Sequence, residues 1–168
     1  RGENFVTRKI TLTLANILAG SKEKLSLGNL NSKRDWGYAK DYVEGMWLVL
    51  QQPEPDDFIF STGQQHSVRD FIREAFGLCG FDLQWRGSGV DEVGFDKNTN
   101  RILIEVDPSF FRPTEVDTLV GDSRKAKDIL NWHAKTPFKE LVHLMVESDL
   151  KRNGLDSEKF IKPCKMNS

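Results

Sequence analysis

The sequence predicts an α/β fold. Segments with helical spacing alternate with short β-rich runs along the chain, and Gly or Pro marks most of the junctions. At 168 residues, 38% hydrophobic and 29% charged, the chain has the size and composition of an ordinary compact domain with its own core. It contains no internal repeat and no low-complexity segment.

Each element follows from local pattern. In 6–18, Val6, Ile10, Leu12, Leu14 and Ile17 fall at helical spacing, and Gly20 ends the run. Residues 24–27 read as a short strand closed by Gly28. From 38 to 51, Ala39, Val43, Met46, Trp47 and Leu50 recur in steps of four, three, one and three, the strongest helical pattern in the chain; Pro53 and Pro55 stop it. Residues 57–62 read as a strand entering Gly63. Ser67 is placed to cap a helix that buries Val68, Phe71, Ile72, Ala75, Phe76 and Cys79. A short strand at 83–85 is followed by a Gly-, Asp- and Asn-rich stretch, 86–100, expected to be loop. Residues 101–106 alternate as a strand. Asp122 or Ser123 caps a short helix through Leu130, and Thr136-Pro137 opens another to about Arg152. The polar stretch 154–168 is expected to fray. Trp36, Trp47, Phe71 and Phe76 are expected in the core, and His66 at a helix entry.

Several function classes lack support. The formal net charge of −1 offers no electrostatic footprint for nucleic acid or an acidic membrane surface. No apolar run approaches the ~20 residues of a membrane span. Cys79 and Cys164 lie far apart, and His66, His133 and His143 are scattered, so neither a disulfide framework nor a metal site is suggested. A reduced, cytoplasmic protein is the expectation. The chain opens at Arg1 with a polar stretch running into a helix, which reads as a piece of a longer protein. There is no Gly-rich strand-to-helix turn of the dinucleotide type and no Ser-His-Asp set. No catalytic machinery is visible in this chain.

The polar residues at loop junctions are then the informative ones. Lys9 lies one turn into the first helix. Arg34 follows the 24–27 strand by a short loop, and Arg112 sits in F110-F-R-P-T-E-V-D117, where Pro113 biases it away from helical geometry. A diphosphate calls for two or three cations, and the planar arginine fork matches it. A ribose diol calls for a carboxylate such as Glu115. Taken as single residues these remain open: Arg34 beside Asp35 is equally an exposed ion pair worth less than ~1 kcal/mol, and Glu115 with Asp117 a polar turn.

Three motifs in order, R1-G-E-N-F-V-T-R-K-I10, L27-G-N-L-N-S-K-R-D-W-G-Y-A-K-D-Y-V43 and F111-R-P-T-E-V-D117, resemble the C-terminal half of the GDP-mannose 4,6-dehydratase family. G121-D-S-R-K-A-K127 and L130-N-W132 fit the same pattern, and the likeness runs to about residue 150. The resemblance implies the C-terminal, substrate-binding portion of an extended short-chain dehydrogenase/reductase, with small mixed sheets and flanking helices. Residues 1–153 would form that portion, including segments that pack on or complete a Rossmann domain, and 154–168 a tail. It implies an NADP-dependent lyase that converts GDP-mannose to GDP-4-keto-6-deoxymannose, a precursor of GDP-fucose. The enzyme would be a homo-oligomer, dimer or tetramer, and the catalytic Thr, Glu, Tyr and Lys would lie outside this chain, leaving the chain inactive alone. By the same resemblance Val6, Lys9, Leu25, Leu27, Arg34, Val68, Arg112 and Glu115 bind the GDP moiety, with backbone groups of Leu25 and Leu27 reading the base. Arg1 contacts NADP. Another nucleotide-sugar epimerase or reductase of the same fold, or a non-catalytic GDP-binding module, are the alternatives.

Overall fold

The computed structural model describes residue 2, residues 4–110 and residues 118–162. Their centre is a four-stranded mixed sheet in the order β1-β6-β5-β4: β1 (Leu25–Leu27), β4 (Leu83–Arg86), β5 (Val93–Asp96) and β6 (Ile102–Val106). Only the β1–β6 pair is parallel, with Leu25 opposite Ile104 and Leu27 opposite Val106; β5 pairs antiparallel with both neighbours.

Three helices cover the sheet because each presents one continuous apolar face. On α1 (Val6–Leu18), Ile10, Leu14, Ala15 and Ile17 are buried; on α3 (Val68–Leu78), Val68, Phe71, Ile72, Ala75 and Phe76; on α5 (Phe138–Arg152), Leu141, Val142, Val146 and Leu150. These faces meet one another and the inner side of β1 and β6 in one core. Complete burial of Phe71 and Phe76 contributes on the order of 1.5–3 kcal/mol each. The expected cap of α3 is a full capping box. The Ser67 hydroxyl accepts from the Asp70 amide at 3.1 Å, and Asp70 accepts from the Ser67 amide at 3.0 Å.

A smaller cluster forms where α2 (Ala39–Leu50) meets α4 (Arg124–Leu130). Ala126, Leu130 and Trp132 pack there with Tyr42, Leu48, Val49, Phe58 and Phe60. Gly45 allows this approach, since a Cβ at that position would lie 2.5 Å from the Phe60 ring. The Trp132 indole donates to the Asp41 carbonyl at 2.8 Å, and the buried Asp41 carboxylate accepts from the amides of Lys135 and Thr136 at 3.0 and 2.9 Å. Two-residue strands β2 (Lys33–Arg34) and β3 (His66–Ser67) pair antiparallel, with Arg34 opposite His66.

Four expectations are corrected. First, the stretch 86–100 contains β5, a central strand. Its buried positions are Gly94 and Asp96, while its apolar residues, Val93 and Phe95, are only partly buried. Second, 57–62 forms no strand: the backbone lacks a ladder partner among the described residues, and Ile59 is exposed. Third, α2 turns its predicted apolar stripe outward. Val43, Met46, Trp47 and Leu50 are 57–80% exposed, and another stripe, through Tyr42, Gly45 and Val49, makes the contacts. Trp47 is therefore not a core residue, whereas Trp36, Phe71 and Phe76 are. Fourth, the fraying tail is ordered over its first part: Leu155, Phe160 and Ile161 pack on the main core around α6 (Ser157–Phe160), and the Lys162 amide donates to the Leu78 carbonyl at 2.8 Å. Among the described residues no helix is long and apolar enough to cross a membrane.

Candidate functional site

The sequence-predicted ligands fall on three adjoining pieces of backbone. Val6 and Lys9 lie on the first turn of α1, three residues apart and so on one face. At ~100° per residue, Thr7 and Arg8 point the opposite way. That opposite face closes a cleft of about 380 Å³ with Trp36, Tyr38, Tyr42 and α5. The cleft is therefore on the wrong side of α1 to be the predicted site.

On the Lys9 side the decisive neighbour is Phe110. The Lys9 ammonium sits 3.4 Å from the centre of the Phe110 ring. Phe110 is held there through its backbone. The Asp107 amide donates to the Leu27 carbonyl at 2.8 Å, and the Phe110 amide donates to the Asp107 carbonyl at 3.1 Å. Gly28 completes the contact: a Cβ on it would lie 2.5 Å from the Phe110 carbonyl oxygen, so only glycine lets the two backbones approach this closely. Burial holds Lys9 below its ordinary pKa, the nearby Lys22 adds to this, and Asp107 opposes it.

Leu25 and Leu27 are buried side chains on β1, which is an edge strand of the sheet. One backbone edge of β1 is taken by β6, and the other has no ladder partner among the described residues. The Leu27 carbonyl is already engaged by Asp107. Val68 is also buried, 5% exposed at the start of α3, with its amide donating to the Ser32 carbonyl. Its side chain packs in the main core.

Arg34 lies on β2, six residues beyond Gly28, with Nη1 donating to the Lys33 carbonyl at 2.7 Å. The neighbouring Asp35 is committed to the chain turn at Thr62-Gly63. It accepts from the Thr62 hydroxyl at 2.5 Å, the Thr62 amide at 3.1 Å and the Gly63 amide at 2.9 Å. Both carboxylate oxygens are thus used in fastening β2 to the 61–63 segment, a role that nothing in the sequence pattern signalled. On the partner strand His66 stacks on Phe138, ring centres 3.7 Å apart, which ties the Arg34–His66 pair to the start of α5. Across the loop that leads to Arg34, Arg69 donates to Asn31 and to both oxygens of Glu92 while lying over the Trp85 ring. Arg1, Arg112 and Glu115 lie outside the described residues.

No group of three His, Cys, Asp or Glu among the described residues could hold a metal ion. The described residues do not make a dinucleotide site either: β1 runs into the polar loop 28–32, and Gly87-Ser88-Gly89 joins two antiparallel strands instead of a strand and a helix. Cys79 is a partly buried side chain whose thiol is pushed up to about 12 by burial, which disfavours the thiolate.

The same fold recurs within larger solved proteins, among them a dTDP-glucose 4,6-dehydratase from Bacillus anthracis and a UDP-glucose 4-epimerase from Bifidobacterium longum. The chain superposes on RMD from Pseudomonas aeruginosa, solved with NADPH, with a TM-score of 0.71 at 16% identity, over 90% of this chain and 44% of that one. The sequence is more specific. Residues 1–145 match the GDP-mannose 4,6 dehydratase family, and the chain belongs to it. Over 150 residues it is 52% identical to the human GDP-mannose 4,6 dehydratase and 51% identical to that of Drosophila melanogaster, covering 89% of this chain and 40% and 38% of theirs. The chain spans about two fifths of the length of these relatives.

Proposed function

We propose that this chain is the C-terminal, GDP-sugar-binding portion of a GDP-mannose 4,6-dehydratase, an NADP-dependent lyase that yields GDP-4-keto-6-deoxymannose. The observation that carries this reading is the joining of Lys9, Gly28 and Phe110. It fastens Phe110, two residues before Arg112 in the sequence, beside a lysine cation and the end of β1. Lys9, Arg34 and Arg112 supply the positive charge a diphosphate requires, Glu115 accepts from the ribose hydroxyls, and the edge of β1 offers backbone groups to the base. Two arginines are suited to this because each can donate two parallel hydrogen bonds to one phosphate.

Hydride and proton transfer belong to the rest of the polypeptide. Neither tyrosine of this chain has a lysine four residues on: Tyr42 follows Tyr38 by four, and Met46 follows Tyr42. NADP is likewise assigned to the remainder, with Arg1 as this chain's single contact. Two features support a neighbouring body that covers this one. α2 carries a second apolar stripe, Val43, Met46, Trp47 and Leu50, that this body leaves exposed, and residues 57–60, with the exposed Ile59, have no ladder partner among the described residues. In the assembled enzyme the outer stripe of α2 and the 57–60 segment pack on that remainder, which forms a cytoplasmic homo-oligomer.

Calorimetry on the full-length polypeptide that carries this chain tests the proposal. GDP should bind, and Arg34→Ala and Arg112→Ala should each weaken it by about 1.5–3 kcal/mol, the worth of a charge-assisted hydrogen-bonded contact. Absence of GDP binding, or unchanged affinity in both variants, overturns it. Conversion of GDP-mannose to the 4-keto-6-deoxy sugar without added NADPH separates a dehydratase from a reductase or epimerase of the same fold.

A further inference from the structure

We propose that Phe110 is a positioning residue for the diphosphate: its ring backs the Lys9 ammonium and leaves the remaining ammonium donors to face the phosphate. This rests on the reading of Lys9 as a phosphate cation. The ring occupies one side of the ammonium at 3.4 Å, and a π face accepts a cation there without consuming a hydrogen-bond acceptor. Phe110 is not explained by core packing, because 48% of it is exposed.

Nor is the contact a chance encounter of two mobile side chains. The ring leaves a backbone fixed by the Asp107–Leu27 and Phe110–Asp107 hydrogen bonds, by the Ser109 amide on the Asp107 carboxylate at 2.9 Å, and by the close approach to Gly28. A swinging gate would need that backbone to release. A backstop needs it to hold, which is what the bonds do. The charged neighbours of Lys9 are Lys22 and Asp107, and its lowered pKa fits an ammonium stripped of part of its water. Such a cation is already desolvated on one side before an anion arrives, so less hydration is lost on binding.

The test is calorimetry on the full-length protein with two probes, GDP and guanosine. Phe110→Leu keeps the apolar bulk and removes the π face. It should weaken GDP about two- to fivefold and leave guanosine unchanged, while Phe110→Tyr retains wild-type affinity. In a Lys9→Met background, Phe110→Leu should add no further loss. GDP binding as tight as wild type in Phe110→Leu, or tighter, overturns the inference and leaves the proposed function standing; so does an additive double variant. Failure of the wild type to bind GDP removes both. Should Phe110→Leu not fold, Phe110→Met carries the same test, and unfolding of both would show that Phe110 acts as packing.

Discussion

Asp149 is fully buried on the core side of α5, and its partner is Arg8 on α1, 14% exposed. The Thr11 hydroxyl donates to the second carboxylate oxygen at 2.6 Å, and the Arg8 Nε has no hydrogen-bond partner among the described residues. Asp149→Leu removes the counter-charge and leaves a largely shielded guanidinium alone. The cost of such a half-broken pair is about 3–5 kcal/mol. Thr11 loses little, because the carbonyls of Thr7 and Arg8 are within 3.3 and 3.4 Å of its hydroxyl. In a chain of this length each kcal/mol moves Tm by roughly 2–4 °C, so the drop should fall at roughly 6–20 °C. The paired variant Arg8→Met with Asp149→Leu replaces both charges by apolar groups and should lie within ~1 kcal/mol of wild type. Urea unfolding followed by circular dichroism, with the slope m unchanged, measures both. The reasoning is refuted if the single variant loses less than ~1 kcal/mol, or if the double variant loses as much as the single. Because Arg8 lines the α5 cleft, ~100° around α1 from Lys9, the double variant should also keep its GDP affinity.

Two further predictions follow from surface groups. Hydrogen bonds from Lys24 and Ser26 hold the Glu105 carboxyl below its ordinary pKa of 4.5, so the stability they add is complete above that value and disappears as pH falls through the lowered one. Glu105→Gln should therefore flatten the acid limb of stability against pH below about 4.5; parallel limbs in wild type and variant would contradict this. The outer stripe of α2 should drive the 168-residue chain by itself to associate and bind hydrophobic dye. Met46→Glu with Leu50→Glu should suppress both in sedimentation and fluorescence while stability moves by no more than ~0.5 kcal/mol, since both side chains are more than half exposed. A monomeric wild type that binds no dye would refute the assignment of that face.

The sequence by itself determined β6 from its β-rich run, α5 from Thr136-Pro137 and, with the Ser67 cap, α1 and α3 from apolar residues at helical spacing. Those patterns reflect burial on one side, and burial on one side is what periodicity records. It also carried the family through ordered motifs, and the cations that a diphosphate needs. Tertiary structure alone decided the rest. β5 was hidden because it is four residues long, buries Gly94 and Asp96, and lies in a stretch rich in Gly, Asp and Asn. The direction of α2 was undecidable from spacing, since two of its stripes are apolar and only Phe60 and Trp132 settle which one meets this body. Residues 57–62 have strand composition, but a strand exists only with a partner to bond. Phe110 came to notice only when the fold laid it over Lys9, a contact across a hundred residues that becomes possible because Gly28, with no side chain of its own, lets the chain close on it.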